Sequence, residues 1–152
     1  MKASLRQSLY FAFSIFIFLC LWITDSAKAQ SKAEATTEKH LGTWKLVSTK
    51  YGNDKEFTKY PESSSRLKLI TSTHFNWVEV NSATKKVLAS AGGRYSLSGN
   101  IYIETIDFVG EGMAAYLGKA QKFTIKVDGD KLFQAGDLSD GLHIEENWER
   151  VK

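Results

Sequence analysis

The chain contains only one cysteine and one proline among its 152 residues, and each scarcity narrows the possibilities. The single cysteine, Cys20, lies in an apolar N-terminal run that we expect to be removed, so the mature chain has no thiol. This excludes disulfide frameworks, thiolate nucleophiles and cysteine metal sites. The single proline, Pro61, lies in a predicted loop, so the predicted strands are free of it. Stability must therefore come from a hydrophobic core.

Residues 1–29 have the three parts of a signal peptide. Lys2 and Arg6 give a basic start, residues 9–23 are nearly all apolar, and Ala27-Lys28-Ala29 supplies small residues where signal peptidase cleaves. The apolar run is shorter than the roughly 20 residues that span a bilayer, which disfavours the alternative of an uncleaved anchor. We therefore expect a periplasmic or secreted protein with no membrane span after cleavage.

Neither sign of charge dominates the mature chain. The whole sequence has a net charge of +3, but the predicted signal peptide holds three basic residues and one acidic residue, which leaves +1. A nearly neutral chain lacks the electrostatic footprint of a nucleic-acid binder and the polybasic patch of a membrane-surface protein. We therefore expect no nucleic-acid partner.

The signals of metal, cofactor and nucleophile chemistry are also absent. The three histidines, His40, His74 and His143, are far apart in sequence and none pairs with another at metal-ligand spacing. The sequence contains no Gly-x-Ser-x-Gly elbow, and Gly92-Gly93 precedes a predicted strand rather than a helix, unlike a phosphate-binding loop. We therefore predict no catalytic residues, no metal and no cofactor.

From Leu41 onward, short runs of β-branched and aromatic residues alternate with polar ones, which is typical of strands. Ser98-Gly99-Asn100 and Asp128-Gly129-Asp130 have the residues of tight hairpin turns. Residues 110–118 are predicted to form a loop with a short helix. The predicted strands are 43–50, 66–71, 74–81, 84–91, 93–97, 100–108, 121–127, 131–136 and 142–151.

Sequential hairpins of this density predict an antiparallel meander, and closure into a barrel removes the open edges of such a sheet. The predicted fold is therefore all-β, an antiparallel up-and-down β-barrel of about 8–10 strands, with a sandwich as the alternative. Residues 30–40 are small, polar and charged and are predicted to form a flexible N-terminal segment. The barrel domain is predicted to span residues 41–152.

Two sets of residues resemble known proteins. Gly42-Thr43-Trp44 in the first predicted strand and Arg150 in the last resemble the lipocalin and fatty-acid-binding superfamily. In that superfamily the arginine lies across the tryptophan at the closed end, so the resemblance implies that Trp44 and Arg150 form a structural barrel-floor pair stabilised by a cation–π contact. More closely, the chain resembles bacterial secreted lipocalin-like domains of uncharacterised function, with a calycin-like barrel, at five elements: Gly42–Leu46, Thr73–Trp77, Gly92–Tyr95, Tyr102–Glu104 and Glu145–Arg150. The resemblance implies a fold and assigns no catalytic residue.

Polar side chains on inward-facing positions predict a polar pocket with aromatic walls, because alternate side chains of a barrel strand point inward. Tyr102 and Glu104 share one face of their strand, and Glu146 shares a face with Trp148 and Arg150. The candidate ligand-binding residues are Lys68, Asn76, Trp77, Tyr95, Tyr102, Glu104 and Glu146. The other interpretation places Glu104 and Glu146 on the outer face in surface ion pairs, or pairs them internally for structure.

Three functions fit these observations. We favour a lipocalin-like protein that binds a small polar or amphipathic molecule of unknown identity in the barrel interior. The alternative is a cell-envelope interaction module with a filled barrel, whose contact patch would be residues 111–117, including Met113 and Tyr116. An enzyme that uses Glu104 and Glu146 as acid and base is the third hypothesis, and we predict that the protein is not an enzyme.

Overall fold

The computed structural model describes residues 38–152. The predicted signal peptide and most of the predicted flexible segment lie outside the described residues, and both stay predictions. The described chain begins with a single 3₁₀ turn, Glu38–His40, and the side chain of His40 is buried. His40 is therefore part of the packed structure, whereas the sequence placed it in the flexible segment.

Antiparallel strands make up most of the described chain. They are β1 (Gly42–Tyr51), β2 (Thr58–Lys59), β3 (Ser64–Ile70), β4 (His74–Asn81), β5 (Val87–Ser98), β6 (Ile101–Val109), β7 (Ala120–Asp128), β8 (Lys131–Asp137) and β9 (His143–Arg150). A second 3₁₀ turn, Ala114–Tyr116, lies in the loop between β6 and β7. Within residues 38–152 no helix has the length and apolar character needed to span a bilayer.

Closure of the sheet makes the fold a barrel. From β3 to β9 each strand pairs with the next, β3 pairs with β1, and β1 pairs with β9 from Trp44↔Arg150 to Tyr51↔Ile144. The two-residue β2 pairs only with Ser48 and Thr49, beyond the stretch of β1 that β3 covers. Eight strands therefore form a closed antiparallel lipocalin-like barrel, which confirms the predicted fold and excludes the sandwich.

Two features of the sheet differ from the strand prediction. The sequence predicted strands at 84–91 and 93–97, but β5 is continuous and only shifts register between Gly92 and Gly93. A Cβ atom at Gly93 would collide with the Thr105 carbonyl of β6, so the glycine permits a close approach that keeps the strand paired. The prediction also missed β2, because two residues carry no alternating pattern.

One end of the barrel is closed by packed side chains. The Arg150 guanidinium lies 4.1 Å from the centroid of the Trp44 ring, which is fully buried. The same guanidinium donates hydrogen bonds of 2.7 Å to the carbonyls of Leu41 and Lys39, and the Trp44 indole donates one of 2.8 Å to the His40 carbonyl. The opposite end, where β9 begins and β1 ends, is the mouth of the barrel.

Candidate functional site

A cavity of about 240 Å³ occupies the barrel interior between the floor and the mouth. Buried polar and charged side chains line it beside buried aromatic rings, and apolar side chains from the loops line it near the mouth: Met113, Leu138 and Leu142. An apolar cavity of about 150 Å³ holds benzene. The volume therefore suits a single ring with substituents, and it is too small for a long-chain lipid.

The lower part of the cavity contains a buried ion pair. Lys68 Nζ donates a hydrogen bond of 2.9 Å to Glu104 Oε1 and one of 2.8 Å to Gln134 Oε1, and all three residues are at most 3% exposed. The ammonium also lies 5.1 Å from the Trp148 ring centroid, within cation–π distance. Burial raises the pKa of Glu104, while the charge and hydrogen bond of Lys68 oppose that rise. Lys68 and Glu104 thus stabilise each other's charge where water cannot.

The indole Nε1 of Trp148, a cavity-lining residue, is a buried donor with no hydrogen-bond partner within the described part of the chain. An unpaired buried donor costs about 1–3 kcal/mol, so the Trp148 N–H lowers the stability of the barrel. Tyr102 lies next to Glu104. Burial, and then the Glu104 charge, raises the pKa of Tyr102, so the hydroxyl keeps its proton.

A second polar group lies nearer the mouth. Glu146 Oε1 accepts a hydrogen bond of 2.6 Å from the Tyr51 hydroxyl, and the Arg66 guanidinium lies 3.6 Å from the same oxygen. Arg66 donates hydrogen bonds of 3.2 and 2.5 Å through Nε and Nη2 to Glu79, and a longer one of 3.5 Å through Nη1 to the Tyr51 hydroxyl. Its guanidinium stacks 4.9 Å from the Trp77 ring centroid. Burial, and then the charge of Glu146, raises the pKa of Tyr51, which keeps the phenol a donor.

The two polar groups together have unequal charge. Arg66 and Lys68 supply two cations, and Glu79, Glu104 and Glu146 supply three carboxylates. Glu79 and Glu104 each have a direct ion pair within 3 Å, but Glu146 shares an arginine that is already bonded to Glu79. With all five groups ionised, the formal charge of this set is −1, and Glu146 is the carboxylate whose nearest cation is most distant.

Four of the predicted ligand-binding residues line the cavity: Lys68, Trp77, Glu104 and Glu146. Both glutamates are only 3% exposed, so the interpretation that placed them on the outer face is wrong. Each is hydrogen-bonded inside the barrel, Glu104 to Lys68 and Glu146 to Tyr51.

The other three predicted residues lie elsewhere. Asn76 is on the face of β4 opposite to Phe75 and Trp77, because neighbouring residues of a strand point to opposite sides. Tyr95 and Tyr102 pack against each other below the cavity, with ring centroids 4.9 Å apart. The Tyr95 hydroxyl donates to the Thr71 carbonyl at 2.7 Å, so this ring belongs to the packed floor rather than to the cavity wall.

The sequence did not identify three of the polar cavity residues, Tyr51, Gln121 and Gln134. Gln134 had a usable signal, because it lies two residues after Leu132 in β8 and therefore points to the same, inward side of the strand. Tyr51 had none, because a bulge between Leu46 and Ser48 reverses the alternation of β1 and turns Tyr51 inward. Within residues 38–152 no three histidine, aspartate or glutamate side chains converge on a possible metal position.

A second concavity, of about 310 Å³, lies by the ends of β7 and β8 near the floor. The charged side chains that line it, such as Lys126, Asp128 and Lys131, are exposed to solvent. Solvated charges give less discrimination between ligands than buried ones. The interior cavity is therefore the candidate site.

The fold has counterparts among solved structures. A lipocalin-like protein from Bacteroides uniformis superposes with a TM-score of 0.55 at 14% identity, over 74% of this chain and 99% of that one. An uncharacterized protein from Bacteroides eggerthii superposes with a TM-score of 0.50 at 12% identity, over 73% and 98% of the two chains. No protein-family model and no curated protein matches the sequence. At these identities the likeness shows the lipocalin-like fold alone.

Proposed function

We propose that the protein is a non-enzymatic carrier that binds a small amphipathic molecule, about one ring in size, inside the barrel. The observation that supports this most strongly is the interior cavity of about 240 Å³, which combines aromatic walls with buried polar side chains. Ligand sites are mostly apolar concavities with a few convergent polar groups, and this cavity has that character. The predicted signal peptide supports a periplasmic or secreted location for this binding.

The hydrogen bonds of the two glutamates support binding rather than acid–base catalysis. Glu104 is held by Lys68, and Glu146 is held by Tyr51, whose pKa is raised by burial and by that glutamate. A general acid or base must be free to exchange its proton with a substrate near the working pH. Neither partner, a lysine ammonium or a tyrosine with a raised pKa, is suited to relay that proton.

A protein-interaction module is the second candidate, and one observation favours it. Five apolar side chains near the mouth of the barrel are 41–61% exposed: Val87, Leu88, Phe108, Leu117 and Leu142. Exposed apolar patches often mark interfaces. The two candidates differ in the interior, because an interaction module needs no cavity.

The experiment uses a variant whose larger side chain fills part of the cavity. Ala91 is buried and lines the cavity, so Ala91→Leu would occupy part of its volume. With the full chain expressed and the protein purified, native mass spectrometry records the adducts retained on wild type and on the variant. Thermal unfolding of both proteins is measured in parallel. Ala83→Leu, in the exposed hairpin between β4 and β5, is the matched control.

We expect Ala91→Leu to remove a co-purifying adduct that wild type and Ala83→Leu retain, with little change in stability, because the leucine fills empty space. If the interior is filled, the added carbons would instead overpack it and lower stability by about 1–3 kcal/mol. That loss, together with an unmodified wild-type mass, would refute the carrier function and favour the interaction module.

A further inference from the structure

This inference deepens the proposed function and rests on it: the geometry points to a small organic cation, a protonated amine on a single ring, as the ligand class of the cavity, with Glu146 as the carboxylate that binds it. Its starting point is the unequal set of buried charges. Among the described residues Glu146 is the cavity carboxylate without a close cation of its own, because Arg66 directs its short hydrogen bonds to Glu79.

The free oxygen of Glu146 gives the cation a specific place to bind. Its Oε1 accepts from Tyr51, and no hydrogen bond to Oε2 is formed within the described part of the chain. The side chain is 4% exposed, and it lines the cavity. A carboxylate oxygen without a donor, on a side chain that lines the cavity, can accept a charge-assisted hydrogen bond from a ligand N–H.

The other charged groups make an anionic ligand unfavourable. Lys68 is occupied by Glu104 and Gln134. Arg66 is occupied by Glu79 through Nε and Nη2, and its Nη1 already faces Tyr51 and Glu146. An anion would therefore have to displace a buried ion pair or add a second negative charge to the interior. An ammonium leaves both pairs intact and brings the interior to neutrality.

The aromatic walls of the cavity define the rest of the ligand. The rings of Trp77, Phe123 and Trp148 line the cavity and suit a flat apolar ring. The ligand class is therefore a flat ring with an ammonium on the mouth side.

The test uses three probes of nearly equal volume and different charge: benzylamine, benzyl alcohol and benzoate. Their affinities for the folded full-length protein are measured by calorimetry or ligand-observed NMR. We expect benzylamine to bind at least tenfold more tightly than benzyl alcohol, and benzoate to bind most weakly.

Glu146→Gln tests the residue, because glutamine keeps an oxygen for Tyr51 and removes the charge. The variant should lower benzylamine affinity to that of benzyl alcohol while leaving benzyl alcohol unchanged. Glu145→Gln is the matched control, since Glu145 makes its ion pair with Lys50 on the outer face and the change in net charge is identical. The Glu145→Gln control should keep the tenfold preference for benzylamine over benzyl alcohol.

The outcomes separate the ligand class from the proposed function. Equal affinity for the three probes, tightest binding of benzoate, or equal effects of Glu145→Gln and Glu146→Gln would overturn the cationic ligand and leave a binding cavity in place. Failure of all three probes to bind the folded wild type would overturn both proposals. If Glu146→Gln does not fold, the wild-type ranking of the three probes decides the question.

Discussion

Replacing Lys68 with methionine removes the ammonium to which Glu104 is bonded and leaves a carboxyl group in the interior. The pair is 2.9 Å apart, and both side chains are at most 4% exposed. Breaking a buried pair by removing one partner costs about 3–5 kcal/mol, because the other charge stays buried without compensation. Gln134 loses its donor as well. We expect Lys68→Met to lower the free energy of unfolding by about 3–5 kcal/mol, which is a large part of the roughly 5–15 kcal/mol of a typical domain.

Urea unfolding at neutral pH measures the loss as a lower midpoint with an unchanged slope. Lys59→Met is the control, because Lys59 makes an ion pair with Glu62 that is 79% and 85% exposed, and its removal should have no measurable effect. A double variant with apolar residues at 68 and 104 should recover most of the loss, because it leaves no buried charge.

The loss should also shrink at mildly acidic pH, since Glu104 escapes its penalty by binding a proton. The reasoning would be refuted if Lys68→Met proved as stable as Lys59→Met at neutral pH. It would also be refuted if the double variant were no more stable than the single one. Either result would mean that the pair is solvated rather than buried.

Two further predictions concern the floor and the pH dependence of stability. Arg150→Lys removes the stacking on Trp44 and the guanidinium that donates hydrogen bonds to two carbonyls. Urea unfolding should therefore show a free energy of unfolding that is lower by about 1–3 kcal/mol. Unchanged stability would contradict the structural role of the floor pair. Burial raises the pKa of Glu104 in the folded protein, so its proton is held more tightly in the folded state than in the unfolded state. Its contribution to stability is therefore fully present below its ordinary pKa of 4.5 and is lost as pH rises through the folded value. Wild type should accordingly lose stability relative to Glu104→Gln as pH rises from 4.5 towards neutrality. If the stabilities of the two proteins instead change in parallel with pH, the pKa of Glu104 is not shifted by folding.

The fold could be predicted because inward-facing and outward-facing side chains alternate with a period of two in strand after strand of the described chain. In β7 the buried residues Gln121, Phe123 and Ile125 alternate with exposed ones, so each strand is recognisable without its partners. The prediction failed where the backbone departs from that period. Gly92-Gly93 resembled a break because glycine is rare in strands, yet the pair accommodates a bulge within β5.

The site was harder to predict than the fold because its contacts join distant strands. Lys68, Glu104 and Gln134 lie on β3, β6 and β8, and only closure of the barrel brings them together. Alternation indicated that Glu104 and Glu146 share a face with apolar neighbours, but it carried no information on depth. Tyr95 and Tyr102 alternate in the same way and lie below the cavity, because position along the barrel axis is not encoded in the period.

The pairing of β1 with β9 has a consequence for how the chain acquires its structure. Trp44 and Arg150 are about a hundred residues apart in sequence, yet they are neighbours in the finished sheet. During folding the β9-facing edge of β1 therefore has no partner until β9 joins the sheet. Until then the unfinished sheet has two open edges, which are sites of intermolecular pairing. The closing strand also carries Glu146 and Trp148, so the cavity is complete only when β9 has paired.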